Sequence, residues 1–220
     1  REYDIRGIIG ETLGAEDAYA IGRSFATLLG RAGGKKVAVG YDGRTSSPML
    51  EAALIKGINE SGLDAVSVGM GPTPMLYYAE AVLDDVDGGI QITGSHNPAN
   101  YNGFKMVFQG RPFFGADIQQ LGAMAAAGDW AEGAGSASSF DIIDQYVARI
   151  AEAAPDKPFR VAWDTGNGAA GPVVERLVKL LPGEHYTLFT EVDGNFPNHH
   201  PDPTEEKNLE DLKKLVADKK

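Results

Sequence analysis

Short apolar runs alternate with amphipathic helical stripes along this chain, and this alternation restricts the folds that it can adopt. The strand-like runs lie at 36–40, 65–68 and 89–93, and the helical stripes lie at 18–29, 47–58 and 73–83. The second stripe opens at Ser47-Pro48, where serine is a good N-cap and proline suits the first helical position. Strands that alternate with helices of this length favour right-handed βαβ units. We therefore predict an α/β fold with a mixed, mostly parallel sheet flanked by helices.

The pattern is interrupted near residue 140. Residues 128–139 are rich in Gly, Ala and Ser and lack periodicity, so we interpret them as a loop or linker. Beyond them the sequence predicts helices at 142–150, 172–181 and 209–217 and strands at 160–163 and 186–192. We predict one domain at 1–140 and a second of similar topology at 141–220. The second is expected to be incomplete, because a βαβ pattern would continue with another strand.

Composition and charge argue against several classes of protein. The 220 residues carry 20 basic and 31 acidic side chains, a formal net charge of −11, without the basic clusters that bind nucleic acid backbones. There is no cysteine, so neither disulfides nor thiolate metal sites contribute. No apolar run approaches the roughly 20 residues that a membrane helix needs. We expect a cytoplasmic protein that binds neither nucleic acid nor membrane.

The run ITGSHNPANYNGFK at 92–105 places Ser95 beside His96. Thr, Gly, Ser, Asn and Pro are turn formers, so a plain turn between two strands is one interpretation. A hydrolase-type pair is another, but adjacent side chains in an extended chain point to opposite sides, and the G-x-S-x-G elbow is absent. We therefore set acyl transfer aside.

Phosphoryl transfer is the third interpretation of Ser95. A serine at the tip of a loop after a strand can carry a phosphate, which backbone N–H groups and a bound Mg²⁺ would neutralise. Phe104, Met106 and Phe108 alternate along the next segment, so we predict a strand with these side chains in the core and Lys105 pointing the other way. Lys105 is then either a solvated lysine or an acid/base group near the serine.

Several segments of the sequence resemble segments of one family. They are REYDIRG at 1–7, YDGRTSSP at 41–48, GPTP at 71–74, TGSHNP and NGFK between 93 and 105, DTGNG at 164–168 and DGNFP at 193–197. In this order they are similar to the α-D-phosphohexomutase superfamily. Gly94 before the serine is typical of its phosphomannomutase/phosphoglucomutase branch, whereas the glucosamine-type branches usually have alanine there.

The resemblance implies an isomerase that interconverts hexose 1-phosphate and hexose 6-phosphate, with mannose or glucose as the sugar. The reaction would pass through a phosphoserine and a bound hexose 1,6-bisphosphate. By position, Ser95 is the phosphoryl carrier and, through its phosphate, a Mg²⁺ ligand. Lys105 is the acid/base, His96 is a neighbour that positions the reacting hydroxyl, and Tyr3 and Arg6 line the substrate site. The implied fold is the family's first domain and part of its second.

One part of the family pattern is missing from the sequence. The metal loop D-G-D-G-D-R should follow the strand after the last helix, and the chain ends at Lys220 before it. The domains that read the sugar and hold the distal phosphate are missing as well. We therefore expect the chain alone to be nearly inactive, with an unpaired strand edge that favours dimerisation or strand swapping.

Two alternatives to this interpretation stay open. One is a non-catalytic module that binds a phosphosugar or a protein through the same loop, and the other is a glucosamine-type mutase, which Gly94 disfavours. The turn at 164–168 and the pair His199-His200 are interpreted as structural, because two adjacent histidines lack the spacing of helical metal ligands.

Overall fold

The computed structural model describes residues 2–219, which contain nine strands and seven α-helices. The strands are β1 (Ile5–Ile8), β2 (Lys36–Tyr41), β3 (Asp64–Met70), β4 (Gly88–Ile92), β5 (Tyr101–Phe108), β6 (Arg111–Phe113), β7 (Ala137–Ser139), β8 (Phe159–Asp164) and β9 (Gly183–Leu188). The helices are α1 (Ala15–Arg31), α2 (Ser47–Glu60), α3 (Thr73–Val82), α4 (Ala116–Ala127), α5 (Ile143–Ala151), α6 (Gly171–Leu177) and α7 (Glu210–Asp218). Residues up to 140 are called the first unit below, and those from 141 the second unit.

Seven strands form the sheet of the first unit, in the order β1-β5-β4-β2-β3-β7 with β6 beside β5. β2 is parallel to both β3 and β4, and β7 is parallel to β3. β5 is antiparallel to each of its neighbours, β1, β4 and β6. All the strands of this sheet except β5 therefore share one direction, which confirms the predicted mixed, mostly parallel sheet. In the second unit β8 and β9 form a separate parallel pair.

Helices α1 and α2 cross closely because glycines lie at their contact. A Cβ at Gly22 would lie 2.3 Å from the Leu54 carbonyl oxygen, and one at Gly57 would lie 2.3 Å from the Tyr19 carbonyl oxygen. Larger residues would force the helices apart, since real Cβ contacts are longer than this. The crossing stacks the apolar face of α1, including the fully buried Phe25, on the sheet.

The start of α2 differs from the prediction by one residue. Ser46 is the N-cap, and Ser47 lies in the first turn, followed by Pro48. The Ser47 hydroxyl does not cap the helix but donates to the Asp42 carboxylate at 2.9 Å. Asp42 competes for this hydroxyl because it is the centre of the hydrogen-bond network described below.

Two element boundaries in the second unit were also predicted wrongly. α6 ends at Leu177 rather than at residue 181, because the residues after it form turns. β9 spans Gly183–Leu188 rather than 186–192. Phe189 has a left-handed backbone, with φ of 54°, which takes the chain out of the strand and towards the first unit.

The segment 128–139 is packed against β3 and α1 of the first unit. Its last three residues form β7, which extends the sheet beside β3. The Trp130 indole N–H donates to the Ser24 hydroxyl at 2.9 Å, and the indole ring lies 5.2 Å from the guanidinium carbon of buried Arg23. The prediction of a loop or linker is therefore wrong at the strand, and the rest of the segment is an anchored loop.

The hydrophobic core continues across the predicted division near residue 140. One buried cluster combines side chains from β2, β3 and α3 with side chains from α5 and α6; its members include Val66, Met75, Leu76, Ile142, Val147, Val173 and Leu177. A division into domains at this point stays a prediction, and the two units share packing. Within residues 2–219, the helices are too short or too polar to cross a membrane.

Candidate functional site

Ser95 lies at the tip of a tight turn directly after β4. Its backbone φ of 53° is in the left-handed region, which non-glycine residues adopt at a cost of about 1–3 kcal/mol and which is frequent at functional sites. The Ser95 N–H donates to the Thr93 hydroxyl at 2.9 Å, and the Asn97 amide donates to the Gly94 carbonyl at 2.8 Å. These two bonds hold the turn so that the Ser95 side chain is partly exposed.

Arg44 holds the Ser95 loop in place through hydrogen bonds to its backbone. Its guanidinium donates to four backbone carbonyl oxygens of the loop, those of Ser95 at 3.0 Å, Asn97 at 2.7 Å, Tyr101 at 3.0 Å and Pro98. Arg44 is only 2% exposed, so these charge-assisted bonds form away from water. The loop is therefore shaped by a residue that lies fifty positions earlier in the chain.

Asp42 connects Arg44 to the start of the same loop. One carboxylate oxygen, Oδ2, accepts from the Thr93 hydroxyl at 2.9 Å, the Gly94 N–H at 3.0 Å and Arg44 Nε at 3.1 Å. The other, Oδ1, accepts from the Ser47 hydroxyl at 2.9 Å. Burial lowers the pKa of Arg44, and the negative charge of Asp42 acts against this shift. Asp42 and Arg44, both in the Y-D-G-R run at 41–44, thus support the Ser95 loop and are not reacting groups.

The second unit completes the packing around Arg44. The Phe196 ring lies 5.2 Å from the guanidinium carbon, in cation–π geometry. On the other side, a Cβ at Gly94 would lie 2.3 Å from Arg44 Cζ and Nε. Glycine is therefore the residue that lets the guanidinium lie against the backbone of the loop.

Lys105 enters the site from β5, as the alternation predicted. Phe104, Met106 and Phe108 are buried in the core, whereas the Lys105 side chain is 23% exposed on the opposite face. Its Nζ lies 3.2 Å from Asp4 Oδ2. Lys105 is therefore neither a freely solvated lysine nor a core residue.

Asp4 joins Lys105 to the other basic residue of the site, Arg6. The Asp4 carboxylate is 1% exposed and forms ion pairs with both side chains. The Tyr3 ring lies 5.8 Å from Lys105 Nζ. Asp4 Oδ1 and Arg6 Nε are buried without a hydrogen-bond partner among the described residues. Sequence reasoning assigned no role to Asp4, although it lies between Tyr3 and Arg6 in the same motif.

One polar cavity brings all of the predicted site residues together. It has a volume of about 290 Å³, and its lining side chains are all polar; they are Tyr3, Arg6, Ser95, His96, Asn97, Lys105 and Asp202. The antiparallel pairing of β1 with β5 aligns the N-terminal motif with the N-G-F-K motif, and the β4 turn adds the serine. Asp202, from the second unit, was not predicted.

A larger cavity of about 500 Å³ reaches Ser95 from the second unit. Its walls include Trp163, Asp164 and the partly buried His199, whose Nε2 lies 3.0 Å from Asp164 Oδ2. His199 Nδ1 lies 2.9 Å from the His200 carbonyl oxygen. Both ring nitrogens therefore face acceptors, and this histidine holds the segment after β9 onto the turn at 164–168. That structural role agrees with the interpretation from sequence.

The described residues 2–219 contain no group of three or more His, Cys, Asp or Glu side chains arranged to hold a metal ion. The assignment of Ser95 as a metal ligand rests on the resemblance and stays a prediction.

Comparisons with known proteins agree with the resemblance. Residues 1–132 match the model of phosphoglucomutase/phosphomannomutase alpha/beta/alpha domain I, and residues 143–220 match that of domain II. A phosphomannomutase/phosphoglucomutase of Pseudomonas aeruginosa is 46% identical over 213 residues, which are 96% of this chain and 46% of the relative. A phosphoglucomutase of Neisseria gonorrhoeae is 44% identical over 215 residues, again 96% of this chain and 46% of the relative.

Solved structures show the same architecture. A phosphoglucomutase/phosphomannomutase family protein from Burkholderia thailandensis superimposes with a TM-score of 0.93 at 46% identity, covering 96% of this chain and 48% of that one. A phosphomannomutase described as putative, from Thermus thermophilus, has a TM-score of 0.83 at 22% identity over 98% of this chain and 51% of its own, and supports the fold alone. The chain spans about half the length of the curated relatives it matches. Because both domain models match in order over nearly all of its residues, the chain belongs to the phosphoglucomutase/phosphomannomutase family.

Proposed function

We propose that this chain carries the phosphoryl-transfer serine of a phosphohexomutase, which interconverts the 1-phosphate and 6-phosphate of mannose, glucose or both. The observation that supports this most directly is the polar cavity in which Ser95, Lys105, Arg6, Tyr3 and His96 come together. The relatives that share 43–46% of this sequence are named phosphomannomutase/phosphoglucomutase or phosphoglucomutase. The proposal is supported by the fixed backbone of Ser95 and by the cations of Arg6 and Lys105 in the same cavity, because phosphoryl transfer depends on positioning and charge neutralisation.

The proposed reaction consists of two transfers in opposite directions. In the first, a hydroxyl oxygen of the hexose monophosphate attacks the phosphorus of phosphorylated Ser95. The new O–P bond forms as the bond to Ser95 Oγ breaks, and the hydroxyl proton is released. The product is a hexose 1,6-bisphosphate. After it turns over in the site, its other phosphoryl group returns to Ser95 Oγ, and the proton returns to the oxygen that has lost its phosphate.

The side chains around Ser95 have distinct proposed roles. Lys105 exchanges the hydroxyl proton, acting as base in the first transfer and as acid in the second. Arg6 carries a fixed positive charge for the phosphate groups of the substrate, and Tyr3 lines the same wall. His96 lies beside the reacting oxygen and helps to position it. Asp4 keeps Lys105 and Arg6 together through its two ion pairs.

Mg²⁺ is the metal that the family resemblance implies. When bound, it would offset the charge of the phosphoserine, which carries about −1.5 to −2 at neutral pH. In residues 2–219 no cluster of three ligating side chains is present, so this part of the chain does not form a metal cage by itself. The Ser95 phosphate is proposed as one ligand of the ion, and no step of the proposed reaction is assigned to the ion.

The experiment that tests the proposal uses a chimera. The 213 aligned residues of the Pseudomonas aeruginosa relative are replaced by this chain, and Mg²⁺-dependent conversion of mannose 1-phosphate and glucose 1-phosphate is measured. We expect turnover together with a phosphate-sized mass addition mapped to Ser95. Ser95→Ala should abolish both, and Ser139→Ala, on the exposed edge strand β7, should change neither.

Two results would contradict the proposal. One is phosphate mapped to another residue while Ser95 stays unmodified in an active chimera, and the other is normal turnover by the Ser95→Ala chimera. Binding of a hexose phosphate without turnover would favour the non-catalytic module. The near inactivity of the 220-residue chain alone remains a prediction, which the same assay measures directly.

Three further proposals concern sugar type, assembly and location. Mannose or glucose is favoured over a glucosamine-type substrate, because Gly94 precedes Ser95, whereas the glucosamine-type branches usually have alanine there. Dimerisation or strand swapping through the β8–β9 pair is proposed because two-stranded sheets expose unpaired edges. Light scattering across a concentration series would test it, and constant monomer mass would contradict it. A cytoplasmic location is proposed from the cysteine-free composition, and fractionation of cells that produce the protein would test it.

A further inference from the structure

Phe196 connects the second unit to the residue that supports the Ser95 loop. The guanidinium carbon of Arg44 lies over the Phe196 ring, 5.2 Å from its centroid, and Arg44 donates to the backbone carbonyls that shape the loop. Phe196 belongs to the D-G-N-F-P motif at 193–197, to which the proposed reaction gives no role. It lines the 500 Å³ cavity together with Ser95. The motif therefore lies next to the site without taking part in the transfer itself.

The turn that carries Phe196 lies directly against the turn that carries Arg44. A Cβ at Gly194 would lie 2.7 Å from the Gly43 carbonyl oxygen and 2.9 Å from Arg44 Cα. A Cβ at Gly43 would lie 2.2 Å from Val192 Cγ1. Real Cβ atoms do not approach other atoms this closely, so larger residues would separate the two turns. The two glycines therefore allow the backbone contact that brings the ring to the guanidinium.

The Phe196 turn is fixed within the second unit. Phe196 has a left-handed backbone, with φ of 52°, and its N–H donates to the Asp193 carbonyl at 3.0 Å. The Asp193 N–H donates in turn to the Asn167 carbonyl at 3.0 Å. The side-chain amide of buried Asn167 donates to the Glu191 carbonyl at 2.9 Å and accepts from the Asn198 amide at 2.8 Å. Asn167, in the D-T-G-N-G turn, thus holds the chain on both sides of the D-G-N-F-P motif.

An aromatic face suits the position beside Arg44. The N–H groups of a guanidinium lie in its plane, and those of Arg44 donate to the loop carbonyls and to Asp42. The flat faces of the guanidinium form no hydrogen bonds. An aromatic ring attracts a cation over its face, and the attraction is stronger where water is excluded, as it is around Arg44. An aliphatic side chain would fill the same space without this attraction.

We propose that Phe196 is a positioning residue for Ser95: its ring holds Arg44 where the guanidinium shapes the Ser95 loop. The effect on the loop does not depend on any reaction, whereas the effect on catalysis rests on the proposed mutase function. The contacts run from Asn167 to the Phe196 turn, from Phe196 to Arg44, and from Arg44 to the loop. The second unit thereby contributes to the position of the proposed phosphoryl carrier in the first.

The first test measures how firmly the Ser95 loop is held, without any activity. Amide hydrogen exchange of the 220-residue chain is followed by NMR at Gly94 and Ser95 and, as a measure of global opening, at Ile90 in the core of β4. Phe196→Leu should accelerate exchange in the loop roughly threefold to thirtyfold, the range of a cation–π contact, and leave exchange at Ile90 unchanged. Phe196→Tyr keeps the aromatic face and should keep the protection of the loop.

Two further variants separate this effect from a general loss of stability. Gly194→Ala forces the same turn away at different atoms and should also accelerate exchange in the loop, so it decides the question if Phe196→Leu does not fold. Phe159→Leu removes an exposed ring at the start of β8 and should leave the loop unchanged. Loop exchange in Phe196→Leu that stays at the unsubstituted rate, or that rises only as much as exchange in the core, would overturn the proposal. An equal acceleration in Phe196→Tyr would overturn the role of the aromatic face.

The second test measures turnover in the chimera. Phe196→Leu is expected to lower kcat roughly threefold to thirtyfold, because the carrier oxygen is in position for a smaller fraction of the time, with KM changed less than about twofold. Phe196→Tyr should restore kcat, and Phe159→Leu should keep both constants. Normal kcat in Phe196→Leu would overturn the catalytic part. If the unsubstituted chimera is phosphorylated elsewhere than at Ser95, the mutase proposal fails instead, and the exchange measurement still decides whether Phe196 holds the loop.

Discussion

Gly94→Ala is the substitution that most directly tests how the Ser95 loop is supported. The added methyl group would lie 2.3 Å from Arg44 Cζ and Nε and 2.7 Å from Nη1. Ordinary contact between such atoms requires roughly 3.5 Å. The guanidinium would have to move by roughly 1 Å, and the backbone of the loop cannot yield in its place without losing its bonds to Asp42 and Thr93.

The expected cost can be worked out from the bonds of Arg44. Its guanidinium donates hydrogen bonds to four backbone carbonyls and to Asp42. The bonds to Ser95, Asn97, Tyr101 and Asp42 are 2.7 to 3.1 Å long. A movement of this size breaks about two of them, and a hydrogen bond to a charged group contributes about 1.5–3 kcal/mol. Relaxation recovers part of the loss. We therefore expect Gly94→Ala to lower the free energy of unfolding by about 2–4 kcal/mol.

Urea denaturation of the 220-residue chain measures this difference, and Gly122→Ala is a matched control. Gly122 lies inside α4, where an added Cβ has no neighbour within 4 Å. That substitution should raise the free energy of unfolding by about 0.5–1 kcal/mol, because alanine is the better helix former. The two substitutions are therefore expected to change the free energy of unfolding in opposite directions. A Gly94→Ala protein within about 0.5 kcal/mol of the unsubstituted chain would refute the account of Arg44, since that is the usual range of inconsequential substitutions.

Three further substitutions test other parts of the structure by urea denaturation. Asp42→Asn should lower the free energy of unfolding by about 2–3 kcal/mol, because the carboxylate accepts bonds from both the Ser95 loop and a guanidinium; an unchanged midpoint would contradict this. Trp130→Ala should cost about 2–3 kcal/mol through lost packing on Arg23, and a loss below about 1 kcal/mol would argue against an anchored segment. Burial raises the pKa of Glu51 in the folded protein. The contribution of the protonated carboxyl to the free energy of unfolding is therefore fully present below the unfolded pKa of about 4.3 and is lost as pH rises through the folded pKa. Glu51→Gln should therefore stabilise at pH 7 relative to the unsubstituted chain and lose that advantage near pH 4, and equal gains at both would contradict the linkage.

The regular elements of the first unit could be predicted from sequence because their signals are local. Apolar spacing located α1, β2 and β3 to within a few residues, and the alternation along β5 oriented Lys105 correctly. The same approach failed for 128–139. That segment is held by backbone pairing, by Trp130 and by side-chain contacts of Asp129, Glu132 and Ser136 with residues far away in the sequence. A Gly/Ala/Ser composition carries no periodicity that would reveal such contacts.

The candidate site could be predicted from the sequence only in part, because some of its residues lie far from the serine in the chain. Ser95, Lys105, His96, Tyr3 and Arg6 lie in motifs that the sequence displays, and the structure brings all five to one cavity. Their proposed roles remain untested. Asp4 and Arg44 act through contacts with residues more than fifty positions away, and Asp202 lines the same cavity from the second unit. No spacing rule connects these three residues to the serine.

Arg44 holds the Ser95 loop entirely through backbone carbonyl oxygens, and this has a consequence for how the protein can vary. Every amino acid has the same carbonyl, so the shape of the loop does not depend on which side chains the loop carries at its exposed positions. Replacement of the exposed Asn100 can change the surface of the loop while Ser95 keeps its place. The exposed surface of the loop can therefore vary without moving the serine, provided that Arg44, Asp42, Gly94 and the turn-holding Thr93 and Asn97 stay unchanged.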